Sequence, residues 1–329
     1  MSIDSPRIFG RLQVRLDPWQ PEFGAEFSLG EDPAAALECT EIDIEHPPAD
    51  WSPIQPSTGS IRPVWFIDGV RRLEARVTAK LDDSYSYGAF GTFGVGAVRL
   101  DAEQACFDRH SVGRVFALSS AELPAREIQI APALVYLPLR VADSEPDAPV
   151  RAIHGQMRTA EEALARELAA GENNLVIADG PLTFEESTRG SAVGYIKRVM
   201  KSYLTGPQLT LLTQLKPGER TPLFALKSST RFSRISWFIR LSEVRKGDSD
   251  FSGIVRLEVA ESVGLEKARF LAGAFGALLP TLKARRALDR RAPQNLLPIA
   301  ALENYLRRKL GDERVIRRSI QSFLVSEAA

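Results

Sequence analysis

Two apolar runs of the sequence end in the same pair of residues. Val64-Trp65-Phe66-Ile67 runs into Asp68-Gly69, and Leu175-Val176-Ile177-Ala178 runs into Asp179-Gly180. A short, fully apolar run fits a strand buried on both faces, and Asp-Gly fits the turn that stops it. Packing cannot compensate a carboxylate delivered to the end of such a strand. It ligates a cation, accepts backbone N–H bonds or caps the next turn. A third carboxylate precedes the second run. Ile153, Met157, Ala160, Leu164 and Leu168 form the apolar stripe of a helix over 152–170, which Gly171 stops. On that wheel Glu161 lies about 40° from Met157, at the edge of the stripe, and Glu162 about 140° away, toward water. The alternative for Glu161 is an ion pair with Arg158 or Arg166, both within helical reach. Asp68, Asp179 and Glu161 together make an all-oxygen site, suited to Mn²⁺ or Mg²⁺ rather than Zn²⁺. Only three histidines occur (His46, His110, His154), so imidazole-zinc chemistry and Ser-His-Asp catalysis are poorly supported. Phosphoryl transfer assisted by one or two hard cations is the chemistry this set suits.

The elements that position these residues read as follows. After the first Asp-Gly, Leu73, Ala75, Val77, Ala79 and Leu81 alternate with polar residues, predicting a strand with one wet face. Residues 89–100 predict a third strand, and the three make an antiparallel meander. Residues 101–150 are less legible, with strand-like runs at 127–131 and 133–141. Another short strand is expected at 193–197, and a helix with Pro207 at its start at 207–215. Alternation at Ile235, Trp237, Ile239 and Leu241, and at Val255, Leu257 and Val259, predicts two paired strands. Helices are expected over 264–277 and 296–310. This order indicates an α/β fold with a mixed sheet.

Charge sharpens the picture. The total is balanced, 42 Lys+Arg against 42 Asp+Glu, but residues 1–60 hold three basic and eleven acidic residues. Residues 197–240 hold nine basic residues and only Glu219, and residues 280–329 hold eleven basic and five acidic. An acidic segment over 1–60, a candidate for partner docking, thus precedes a main domain over 61–329 with a basic C-terminal half. No apolar run approaches the ~20 residues of a membrane span. The first residues lack a secretory signal's apolar core, and two cysteines cannot build a disulfide framework, so the cytoplasm is expected. Neither GxGxxG nor GxxxxGK[ST] occurs, which weakens the competing reading of a sugar-kinase-like ATPase.

The segments FIDGVRRLEARV (66–77), LVIADGPLTF (175–184), VGYIKR (193–198), GERTPLF (218–224), SWFIRL (236–241), GIVRLEV (253–259) and RAPQNLLPIAALE (291–303) resemble the NurA nuclease family, in its bacterial branch. The resemblance covers nearly the whole chain from about residue 11. It implies an RNase H-like (PIWI-like) mixed sheet flanked by helices. It implies a Mn²⁺-dependent (or Mg²⁺-dependent) 5′→3′ exonuclease with single-strand endonuclease activity. It further implies a homodimer that works with the hexameric HerA ATPase in end resection for double-strand break repair, hence a nucleoid-associated protein. Carried over residue by residue, Asp68 and Asp179 match the two strand acids, and a Glu of the 158–167 helix, Glu161 or Glu162, the middle one. Lys197 is placed to stabilise phosphorane charge. Arg71, Arg72, Arg220, Arg240, Arg290 and Arg291 are the expected phosphate contacts for single-stranded and duplex DNA, against the alternative of a solvated face with local ion pairs. Trp65 and Trp237 read as core. One departure stands out: where many family members carry a His, this chain has Leu302. Either Asp289 or Glu303 replaces it, the branch manages without it, or the chain is a degenerate DNA-binding subunit that regulates the ATPase.

Overall fold

The computed structural model describes residues 8–17, 37–57, 59, 61, 63–101, 104–120, 122–171, 174–185, 191–197, 203–228 and 232–328. In chain order the elements are β1 (Gln13–Leu16), β2 (Leu37–Glu41), β3 (Val64–Leu81), β4 (Ser84–Leu100), β5 (Ala105–Leu118), β6 (Ile128–Ala131), β7 (Leu134–Arg140), α1 (Ala148–Ala169), β8 (Leu175–Asp179), β9 (Ser191–Ile196), α2 (Gly206–Gln214), β10 (Phe224–Ser228), β11 (Arg234–Arg240), β12 (Ile254–Ala260), α3 (Leu265–Leu282), α4 (Leu297–Lys309) and α5 (Glu313–Ala328). The strands form one mixed sheet in the order β2-β10-β11-β12-β9-β8-β3-β4-β5-β7-β6, with β1 added to β3. Its centre is an antiparallel meander β3-β4-β5, made of other strands than expected because the runs at 64–67 and 71–81 are one strand and the third is β5, followed by a crossover through α1, with β8 parallel to β3 and β9 parallel to β8. The fold is α/β, a mixed sheet flanked by helices.

Period-two alternation sorts the side chains onto two faces. Phe66, Ile177, Tyr195, Trp237 and Leu257 pack under Leu271, Phe275 and Leu279 of α3. On the reverse face Trp65, Ile67 and Val176 meet Ala165 and Leu168 of α1, while Phe224, Phe238 and Ile254 meet Leu212 of α2. Trp65 and Trp237 are buried, as read from the sequence. Among the described residues no helix is long and apolar enough to cross a membrane.

Several expectations are corrected. The first Asp-Gly does not stop a strand: β3 continues through it for 18 residues, because β4 stays paired opposite, Asp68 with Gly96 and Gly69 with Val95. The turn comes instead at Asp82, whose φ is +50°. The expected boundary at residue 60 has no counterpart in the sheet. β1 pairs with residues 77–80 of β3, and β2 pairs with β10, so the acidic segment supplies two strands of the same sheet. β11 and β12 pair as expected, and every residue of both is buried, including Arg234, Arg240, Arg256 and Glu258. The α3 helix runs through Pro280 to Leu282, and α5 carries no expectation from the sequence reading.

Candidate metal centre

Parallel pairing of β3 with β8 aligns Ile67 with Ala178, so the next residues, Asp68 and Asp179, emerge side by side on the α4-facing side of the sheet. There the strands part. β8 stops at Gly180, whose φ of +99° suits glycine and whose N–H donates to the Tyr195 carbonyl at 2.9 Å. β3 runs on, exposing its edge to whatever lies beyond the end of β8. Gly69 serves a different purpose. A Cβ there would collide with Glu161 Oε1 and Met157 Cγ, so glycine lets α1 close onto the strand.

The third carboxylate of the cluster comes from α4. Its apolar side, Leu302 and Leu306, packs on Val70 and Val98, and Leu302 is fully buried. The next residue, Glu303, is thereby turned toward Asp68. Asp68, Asp179 and Glu303 each offer an oxygen within 4.8 Å of the others. Arg291 holds Glu303 by two bonds, 2.6 and 2.7 Å, and is itself aligned by Asp289, which also accepts from Asn295 Nδ2 at 2.6 Å. Of the two replacements considered for the missing His, Glu303 joins the cluster, and Asp289 orients its arginine. Lys197, just past β9, donates to Asp179 Oδ2 at 2.6 Å.

Glu161 reaches the same end of β8 from the other face. It is buried, paired with Arg158 at 2.8 Å, while Arg158 also donates to the Asp179 carbonyl at 3.3 Å. Glu162 faces outward to Arg166. Glu161 therefore flanks the cluster, outside the three-residue group.

The electrostatics are those of an incomplete site. Burial, and then the negative charge of Asp179, push the Asp68 carboxyl well above the usual range, against the pull of Lys197. Asp68 Oδ1 accepts the Gly69 N–H at 2.8 Å, but its Oδ2 is buried with no hydrogen-bond partner. Burial also raises Glu161, to about 7, although Arg158 opposes it. Burial pushes Glu303 upward too, but Arg291 outweighs it and leaves that carboxyl below its usual value. Three converging carboxylates with an unpartnered buried oxygen fit a hard divalent cation, and the donor set is oxygen only.

The expected phosphate contacts divide. Arg220 is 3% exposed and donates to both oxygens of Glu45 at 2.8 Å. Arg240 is 1% exposed and donates to the carbonyls of Leu212, Asp250 and Ser252. Both readings are corrected: a guanidinium enclosed in this way cannot meet a phosphate. Arg72 donates to Glu74 and to the Gly311 and Leu310 carbonyls, capping the C-terminus of α4. Arg291 is committed to Glu303 and Asp289. Arg71 is half-buried near His154, whose pKa falls to about 4 through burial first and then the charges of Arg71 and Arg158. Arg290 is exposed. Arg198, Lys201 and Arg231 of the basic segment lie outside the described residues. Of the two ion-pair partners read from the sequence for Glu161, Arg158 is the one the structure supplies, and its further bond to the Asp179 carbonyl had no signal in the sequence.

A family model, the NurA domain, matches residues 107–308. Among curated proteins none matches the chain. Among solved structures, the crystal structure of the NurA nuclease from Sulfolobus solfataricus is similar over 84% of this chain and 86% of that one, with 11% identity and a TM-score of 0.44.

Proposed function

The chain belongs to the NurA domain family, and on that premise we propose that it is a divalent-metal-dependent deoxyribonuclease. The observation that carries this reading is the Asp68–Asp179–Glu303 cluster with its unpartnered Asp68 oxygen. These three residues would hold the ion, with Glu161 beside them. Mn²⁺ or Mg²⁺ supplies activation of water and stabilisation of the leaving oxygen in phosphodiester hydrolysis.

The chain's own residues do the rest. Lys197 donates to Asp179 beside the cluster, where it would offset phosphate charge. Arg291 fixes the Glu303 carboxylate, and Arg158 fixes Glu161. The basic residues at the surface, Arg290 among them, give the phosphate backbone its electrostatic hold, so affinity falls with salt. The finer reading is a homodimer that digests DNA ends 5′→3′, nicks single strands and acts with a HerA-type hexameric ATPase in resection and double-strand break repair. What supports this finer reading is family membership alone.

The test uses end-labelled duplex and single-stranded DNA with the full chain in Mn²⁺, Mg²⁺ or EDTA. Cleavage is expected with metal and not with EDTA. Asp68→Asn and Asp179→Asn are expected to lower the rate by on the order of 10²–10³ while leaving the fold intact. Wild-type activity in either variant overturns the site. DNA binding without cleavage by the wild type would establish a non-cleaving subunit instead.

A further inference from the structure

The end of β8 is held from the face of the sheet opposite the carboxylate cluster. Three residues past Asp179, both main-chain groups of Leu182 are gripped. Its N–H donates to Glu258 Oε1 at 2.8 Å, and its carbonyl accepts from Arg234 Nη2 at 2.7 Å. Glu258 also meets Arg234 Nε at 3.2 Å and Arg256 Nη1 at 2.6 Å. Arg256 in turn donates to Ser236 Oγ at 3.1 Å. The Arg234 and Glu258 side chains are wholly buried, and that of Arg256 is 4% exposed. Gly194 of β9 lies opposite Glu258, and a Cβ there would stand 3.0 Å from Glu258 Cγ, the Gly180 oxygen and the Leu182 nitrogen. The layer is full.

Desolvating three charges is costly, and apolar residues of the same volume often serve stability as well or better. Packing alone does not account for this triad. What sets it apart is the residue it grips. Between Asp179 and Leu182 stand only Gly180 and Pro181. Proline is locked at φ, and Gly180, the one free joint, is tied by its N–H to the Tyr195 carbonyl. With Leu182 held as well, the turn after β8 is tied at both Gly180 and Leu182.

We propose that the buried Arg234–Glu258–Arg256 triad is a positioning device. It fixes the 179–182 turn, and through it aims the Asp179 carboxylate at a divalent cation. The proposal rests on the metal-centre reading above and adds residues on the far side of the sheet to it. An apolar triad would fill the same space and leave both groups of Leu182 without a grip.

Two variants of the full chain test it: the combined Arg234→Met, Glu258→Leu, Arg256→Met protein, and Arg234→Lys. Mn²⁺ titration without DNA reads affinity, thermal melting reads the fold, and hydrogen exchange of the 179–185 segment reads the turn. The apolar variant is expected to fold, yet to bind Mn²⁺ about 10- to 100-fold more weakly, the range for loss of a group that orients a ligand. Its 179–185 segment exchanges faster, while β11 and β12 keep their protection. Arg234→Lys keeps the charge but not the forked reach, and weakens Mn²⁺ binding by a smaller factor. It decides the matter if the apolar variant does not fold. A folded variant of either kind with wild-type Mn²⁺ affinity and wild-type exchange overturns the proposal. A wild type that takes up no Mn²⁺ overturns the metal reading and the proposal with it, whereas equal binding by wild type and variants overturns the proposal alone.

Discussion

In the β10–β12 half of the sheet two buried carboxylates are each met by two arginines, Glu258 by Arg234 and Arg256, Glu45 by Arg220 and Arg269. Where β3 and β8 part, three carboxylates share Lys197 and Arg291, and one oxygen of Asp68 has no partner. In the first region both carboxylates are answered from within the chain. The second leaves one carboxylate oxygen over, and the proposed cation would meet it. Both bury charge at a desolvation cost, so burial of charge does not by itself mark a ligand site; the balance of partners around it does.

The largest test of that contrast is Glu258→Ala. It leaves two buried arginines without their shared carboxylate and is expected to cost about 3–5 kcal/mol in stability, read from the urea midpoint. A loss below about 1 kcal/mol would mean that the arginines reach water and the region is not closed. Asp68→Asn in EDTA is expected to move the other way. Burial, and then Asp179, raise the Asp68 carboxyl in the fold, so above the usual carboxylate value this group opposes folding, and that penalty vanishes below it. Removing the charge should raise the metal-free melting temperature by roughly 2–4 °C. A fall would show that the cluster is already neutralised.

The smallest effect concerns Glu45. Burial opposes its ionisation, but Arg220, the Leu223 N–H and Arg269 outweigh burial and leave it below its usual value of 4.5. The stabilisation is therefore full above pH 4.5 and lost as pH falls through the lower, folded value. The stability gap between wild type and Glu45→Gln should shrink by on the order of 1 kcal/mol between pH 5 and 3. A gap that is constant with pH would take Glu45 out of the balanced class.

Much of the frame is legible along the chain because it is periodic. The apolar runs at 64–67 and 175–178, the stripe from Ile153 to Leu168 and the alternation from Ile235 to Leu241 each appear as β3, β8, α1 and β11. The wheel position that separates Glu161 from Glu162 also matches their burial. The failures share one cause. Asp68-Gly69 and Asp179-Gly180 are the same dipeptide, yet one glycine makes a turn and the other admits a helix. Local pattern cannot tell these apart, since each removes the same Cβ. Arg220 and Arg240 looked like surface cations because a count of basic residues carries no information on which of them are enclosed.

What the sequence determined by itself is the supply: apolar strands that carry Asp68 and Asp179, a helix that offers Glu161, and a basic C-terminal half. Partners at long sequence separation were decided only by the tertiary structure. It set Glu303 rather than Asp289 beside Asp68, and directed Arg234 and Arg256 to Glu258. Secondary structure follows from spacings of two and 3.6 residues, whereas a buried charge is settled by whichever group the packed layers bring within about 3 Å.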